Sequence, residues 1–150
     1  LKNSRTLFIV LVYSLSLIIN FMPAIKYPDL SISLSNFLIS FLFLLVFVFY
    51  ALFGGKLYRS FMIIGFIGCV FIFVVHHYQN FIYEVWILDV FSSIQYPLYV
   101  LYVAPLFGMN LLLGYNPEVY SLCVSLVFLL CFFVSMYMKK ISVLKRNLTL

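Results

Sequence analysis

An all-α integral membrane protein is the fold class this sequence predicts: four full transmembrane helices plus a proline-broken segment, re-entrant or hairpin, on the outer side. Three observations predict it. Hydrophobic residues make up 66% of the 150 positions and charged residues only 9%, where an ordinary soluble domain carries roughly a quarter charged. The apolar residues come in blocks rather than at amphipathic spacing, and blocks of ~17–25 residues match the hydrocarbon thickness of a bilayer. The nine Lys and Arg stand at the edges of those blocks, which is the orienting pattern of membrane insertion. The chain, 1–150, reads as a single transmembrane helical domain.

The first span covers 6–22 and closes at "MPAIKYPD", where Pro23 and Pro28 are expected to stop the helix. After Lys2 and Arg5 it resembles a signal-peptide core, but no small-residue cleavage site follows, so it is expected to remain as a span. Leu1 fits a bacterial UUG start codon translated literally. The second span covers 37–53, with Ser35 or Asn36 as N-cap and "GGK" just past its C-terminus. A third covers 61–78. The fourth, 119–138, follows "GYNPE" and leads into a basic cytoplasmic tail, 139–150.

Orientation rests on the basic residues. Lys2 and Arg5 precede the first span, Lys56 and Arg59 lie between the second and third, and Lys139, Lys140, Lys145 and Arg146 follow the last. With the N-terminus in the cytoplasm and an even number of crossings, eight of the nine fall inside and only Lys26 outside. The segment 79–113 is the difficult one, because "IQYPLYVLYVAPLFGMNLLL" is long enough to cross alone. Five transmembrane helices are the alternative, but they leave four basic residues inside and five outside. Pro97, Pro105 and Gly108 are where a returning segment would break.

Rare residues concentrate in "VVHHYQNFIYEVWILD", which holds both histidines, the one tryptophan and two of the four acids. On a single helix His77, Asn80 and Glu84 share a face at i, i+3 and i+7, with His76 four before Asn80. An imidazole, an amide and a carboxylate on one stripe can relay protons or hold a divalent metal. His76, His77, Asn80, Glu84, Asp89 and Gln95 are therefore the candidate polar site. Against it, the 18 residues from Phe61 to Tyr78 already cross a bilayer, so these groups fall at the outer boundary, where charge costs little.

Metal ligation is disfavoured by spacing. Adjacent histidines point about 100° apart on a helix, and neither H-x-x-x-H nor H-E-x-x-H occurs. Cys69, Cys123 and Cys131 lie inside apolar blocks with no CxxC pair, so they read as small packing residues. No metal, cofactor or catalytic residue is assigned.

Other features read as contacts. Gln95, Tyr99 and Tyr102 share a helical face at i, i+4 and i+7, and with Trp86 they form a candidate aromatic groove. Gly65, Gly68 and Cys69 make a flat small-residue patch for helix packing. Asn20 and Asn110 sit near block ends, where they can hydrogen-bond across helices. Lys56, Arg59, Lys139 and Lys140 are the orientation residues.

The net charge of +5 belongs to membrane edges and not to a nucleic-acid footprint, so no nucleic acid is expected as a partner. The chain lacks a G-x-S-x-G elbow, an S-x-x-K, a P-loop and paired acids within a span. These absences lean against an enzyme. The expected function is that of a small, non-enzymatic protein of the bacterial cytoplasmic membrane, with both termini cytoplasmic. It would act as an accessory, assembly or immunity-type subunit through helix faces and outer aromatic contacts. Its partners are the lipid bilayer and another membrane protein or a second copy of itself. The alternative is a small oligomeric transporter or channel with a polar path near His77, Asn80 and Glu84; a metal- or quinone-handling enzyme ranks third.

Overall fold

The structure is a computed structural model that describes the backbone of residues 2–148 and the side-chain surroundings of residues 4–141. The side chains of Lys2, Lys145 and Arg146, used above for orientation, lie outside the described set. The elements are α1 (Lys2–Ile25), α2 (Leu34–Ala51), α3 (Lys56–His77), α4 (Gln79–Glu84), α5 (Trp86–Ser92), α6 (Gln95–Leu98), a π turn (Tyr99–Val103), a 3-10 turn (Ala104–Met109), α7 (Asn110–Leu113) and α8 (Pro117–Leu148). No strand occurs among the described residues. Five helical stretches are long and apolar enough to cross a membrane: Ser4–Ile25, Leu34–Ala51, Lys56–His77, Trp86–Leu113 and Pro117–Ile141.

The long helices pack antiparallel. Thr6 and Tyr50 share a hydroxyl hydrogen bond at 3.0 Å near one end of α1 and α2, and the Asn20 amide donates to Ser40 Oγ at 3.0 Å further along. The Tyr58 hydroxyl donates to the Phe47 carbonyl, joining α3 to α2. Between α3 and α8 the register runs through the Phe61–Phe128 ring pair, the Ser121 hydroxyl on the Cys69 carbonyl, and His76 beside Glu118. Because α8 runs back along α3, the chain between them leaves and rejoins the bundle at the same end. Arg5, whose guanidinium lies 4.8 Å from the Phe53 ring centre, Lys56, Arg59, Lys139 and Lys140 all belong to the opposite, basic end. Lys26, Asn116 and Glu118 mark the far end.

Several boundaries differ from the expectation, each for a local reason. Pro23 does not stop α1, which continues to Ile25. A proline deprives the carbonyl four residues back of its donor; here that carbonyl is Ile19, and the Asn36 side-chain amide donates to it at 2.9 Å. The N-cap of α2 is Ser33 rather than Ser35 or Asn36, and Asn36 instead closes a capping box with it. Helix α2 ends at Ala51 with Leu52 as C-cap, so "GGK" serves the next helix: Gly55 is the N-cap of α3, which starts at Lys56 and not near 61. Pro117 opens α8 two residues before the expected 119, its missing donor costing nothing at a first position. The basic stretch after 138 continues α8 as helix to Leu148.

The stretch 95–113 wedges between the α1–α2 pair and the α3–α8 pair. It begins against α3, where the Leu98 side chain covers Gly68, and ends against α2, where Gly108 meets Asn36 and Ser40. Tyr102 through Gly108 are all buried. Pro105 breaks the helical ladder here, and irregular backbone in an apolar bundle survives only if its polar groups find partners. They do. The Leu101 carbonyl, four before Pro105, accepts the Tyr13 hydroxyl at 2.8 Å. The Pro105 carbonyl accepts the hydroxyls of Ser16 and Ser40, and the Leu106 carbonyl accepts that of Tyr120. The Gly108 amide donates to Ser40 Oγ at 3.1 Å. Helices α1, α2 and α8 thus each supply hydroxyls to the broken segment.

Candidate functional site

The far end opens into a cleft of about 620 Å³ between the ends of α1 and α3, the start of α8, and the stretch 95–100. Its apolar wall includes Ala24, Ile72 and Val100, and its polar groups are His76, Gln95, Asn116 and Glu118. His76 Nε2 lies 3.7 Å from Glu118 Oε2. Tyr27, Tyr96 and Tyr99 also line the cleft. The Tyr99 hydroxyl donates to the Ala24 carbonyl at 3.1 Å, and the rings of Tyr27 and Tyr99 both pack on the buried Phe107 ring, at 5.5 and 6.3 Å. Below the cleft, Phe107 packs edge-on against Tyr120, and Tyr102 against Phe128.

Of the predicted polar residues, the cleft gathers His76 and Gln95. Both are set by their elements: His76 lies in the last turn of α3, and Gln95, buried to 8% exposure, opens α6. His77, Asn80, Glu84 and Asp89 are exposed. They do not form the single helical face expected, because Tyr78 interrupts the helix with φ −105° and ψ 22°, and Val85 is extended between α4 and α5. The His77 ring stacks on Phe73 and meets Tyr78 edge-on. Asp89 contributes its carbonyl, which accepts the Ser92 hydroxyl at the end of α5.

The aromatic groove does not assemble either. Trp86 is 74% exposed on α5. Tyr99 faces the cleft while Tyr102 points into the core against Phe61 and Phe128. The π turn explains the separation, since its i to i+5 closure adds a residue to the turn and rotates Tyr102 off the face shared with Gln95 and Tyr99.

The small-residue patch packs within the chain. Gly65 lies under Tyr102 and Phe128, Gly68 under Leu98, and the Cys69 carbonyl accepts the Ser121 hydroxyl. Asn110 binds Tyr115 through both its amide and its carbonyl oxygen, closing the turn at Gly114, whose φ of 61° suits glycine. Asn20 is fully buried and donates to Ser16 and Ser40; its Oδ1 is the one buried side-chain polar atom without a partner among the described residues. No three of His, Cys, Asp and Glu come together as a metal-binding group among the described residues.

Glu118 is, with Tyr27 and Asn116, one of the cleft residues that sequence reasoning passed over. It was visible only as the last letter of a turn, "GYNPE", and nothing in the sequence relates that turn to His76, 42 positions earlier. The carboxylate's place at the first turn of α8 was a usable signal, because acids are favoured there. No protein-family model matches the chain, and comparison with curated proteins and with solved structures finds no match. The fold and this geometry are therefore the grounds for assigning a class: an all-helical protein with several helices able to cross a membrane.

Proposed function

We propose that this is a multi-pass protein of the bacterial cytoplasmic membrane that performs no chemistry of its own and acts as an accessory, assembly or immunity-type subunit through its outward face. In this reading α1, α2, α3 and α8 cross fully, 79–113 enters and returns, and both termini are cytoplasmic. The support for that topology is the gathering of Arg5, Lys56, Arg59, Lys139 and Lys140 at one end of the bundle with Lys26 at the other. A membrane-impermeant thiol reagent applied to intact cells should label Lys26→Cys and spare Lys140→Cys; the reverse labelling, or five crossings, would overturn it.

The observation that carries the function is the strip 79–92. Only Ser92 in it is buried, while Phe81, Tyr83, Trp86 and Phe91 are exposed, Phe91 beside Ile64 and Ile67 on the flank of α3. Trp and Tyr at this level satisfy both ring and polar tip, and they are also the side chains that anchor protein contacts. A photo-crosslinking amino acid placed at Phe81 or Trp86 in cells should give one recurrent protein adduct, from a partner or a second copy. The same group at Ile18, 72% exposed on the flank of α1, should give lipid adducts. Lipid adducts alone at all three positions would reduce the strip to a membrane anchor.

A further inference from the structure

We infer that the far-end cleft is a binding site for an organic ammonium group. A cation carried on small carbon substituents is held where the faces of several aromatic rings surround it, because each ring offers a negative face and an apolar surface at once. A nearby carboxylate adds the charge that rings alone do not supply. The lining of the cleft supplies both kinds of group: the aromatic side chains of Tyr27, Tyr96 and Tyr99, and the carboxylate of Glu118, with Gln95 beside them. Its volume, about 620 Å³, lies within the roughly 300–1,000 Å³ usual for small-molecule sites. No Lys or Arg lines it, and the one side chain of the lining that can carry positive charge is His76, 3.7 Å from Glu118.

Two further features make this more than a list of side chains. Two of the three rings are held before any ligand arrives, Tyr99 by its hydrogen bond to the Ala24 carbonyl and both Tyr27 and Tyr99 by Phe107, while Tyr96, 65% exposed, stands at the rim. Binding then loses little side-chain freedom. The carboxylate also retains capacity. Its separation of 3.7 Å from His76 Nε2 is long beside the roughly 2.7–2.9 Å of a charge-assisted hydrogen bond, and its side chain is 21% exposed. Glu118 is thus oriented into the cleft without being consumed by its neighbour.

The ammonium group has two sources, a soluble amine and the headgroup of a lipid, and the cleft's chemistry is the same for both. The inference stands apart from the contact function, which rests on the strip 79–92, so either can fail alone. The test is equilibrium dialysis of the full chain in maltoside micelles against labelled choline. Saturable binding is expected, with 3,3-dimethylbutanol, the neutral isostere, bound about tenfold more weakly. Glu118→Gln and Tyr96→Ala should each weaken choline by about tenfold, and Glu84→Gln, outside the cleft, should leave it unchanged. Helicity by circular dichroism verifies that each variant is folded. Equal binding of choline and the isostere, or choline binding unaffected by both cleft variants, overturns the inference. In nanodiscs, displacement of choline by phosphatidylethanolamine but not by phosphatidylglycerol assigns the site to a lipid headgroup; no displacement assigns it to a soluble amine.

Discussion

Two neighbouring stretches, 79–92 and 95–110, treat polar groups in opposite ways. The first carries Asn80, Glu84, Trp86 and Asp89 and leaves nearly all of its side chains exposed. The second is buried from Tyr102 to Gly108, and the polar groups that matter there are backbone carbonyls and an amide. The difference follows from packing: the first stretch lies on the outside of the bundle and the second inside it. An ionisable group on the outside of the bundle leaves no buried partner unsatisfied when it is replaced, so its rarity in the sequence says little about its energetic weight. A carbonyl freed by proline inside an apolar bundle has no solvent, so ordinary Ser, Tyr and Asn side chains on neighbouring helices become essential to it. Function-like composition and structural importance therefore fall on different residues.

The contrast is broken most severely at Gly108. A Cβ there would overlap the Asn36 carbonyl and press on Ser40 Oγ, and neither backbone nor a hydroxyl held by three hydrogen bonds can move away cheaply. Gly108→Val should cost about 3 kcal/mol or prevent folding, since overpacking of a tight interface costs roughly 1–3 kcal/mol and sometimes more. Gly55→Ala, which meets nothing within 4 Å, should stay within about 0.5 kcal/mol. Denaturant unfolding in detergent micelles reads both. Equal stability of the two variants would mean that the broken segment is not seated against α2.

The outcome at Gly108 bears on how much could be read beforehand. Block length and basic edges place α1, α2, α3 and α8, because both follow from bilayer thickness and insertion bias, which act on local sequence. Of the three expected break points, Pro105 falls where a π turn passes into a 3-10 turn, whereas Pro97 lies within α6 and Gly108 within the 3-10 turn. What was hidden is pairing. That Ser16, Ser40, Tyr13 and Tyr120 answer carbonyls 14 to 89 positions away is set by tertiary packing, and a lone Ser in an apolar block carries no mark of it. The same holds for the cleft: His76 and Gln95 were visible as polar residues, whereas Glu118 joins them only through the antiparallel register of α3 and α8.

A smaller effect sharpens the comparison. Ser40 donates to the Pro105 carbonyl and accepts from Asn20 and from the Gly108 amide. Ser40→Ala removes all three links at once and leaves buried groups unsatisfied, at a cost of about 2 kcal/mol. Asn20→Ala should cost less, about 1 kcal/mol, and the double variant should lose less than the sum, with a coupling of about 0.5 kcal/mol or more. Strict additivity would show that the two side chains do not act on one network.

The smallest effect is expected where the sequence looks most active. His77 and Glu84 are exposed, His77 resting on Phe73 and Tyr78 and Glu84 closing the short helix α4. Replacing either removes no buried partner, so His77→Ala and Glu84→Gln should each change unfolding stability by no more than about 0.5 kcal/mol. The informative variable is burial and not residue type: Ser40, a commonplace residue, should outweigh both by a factor of several. A loss above about 1 kcal/mol at either site would mean that 79–92 holds a buried contact in the folded protein. The distinction between the two stretches would then fail, because burial within the bundle is all that separates them.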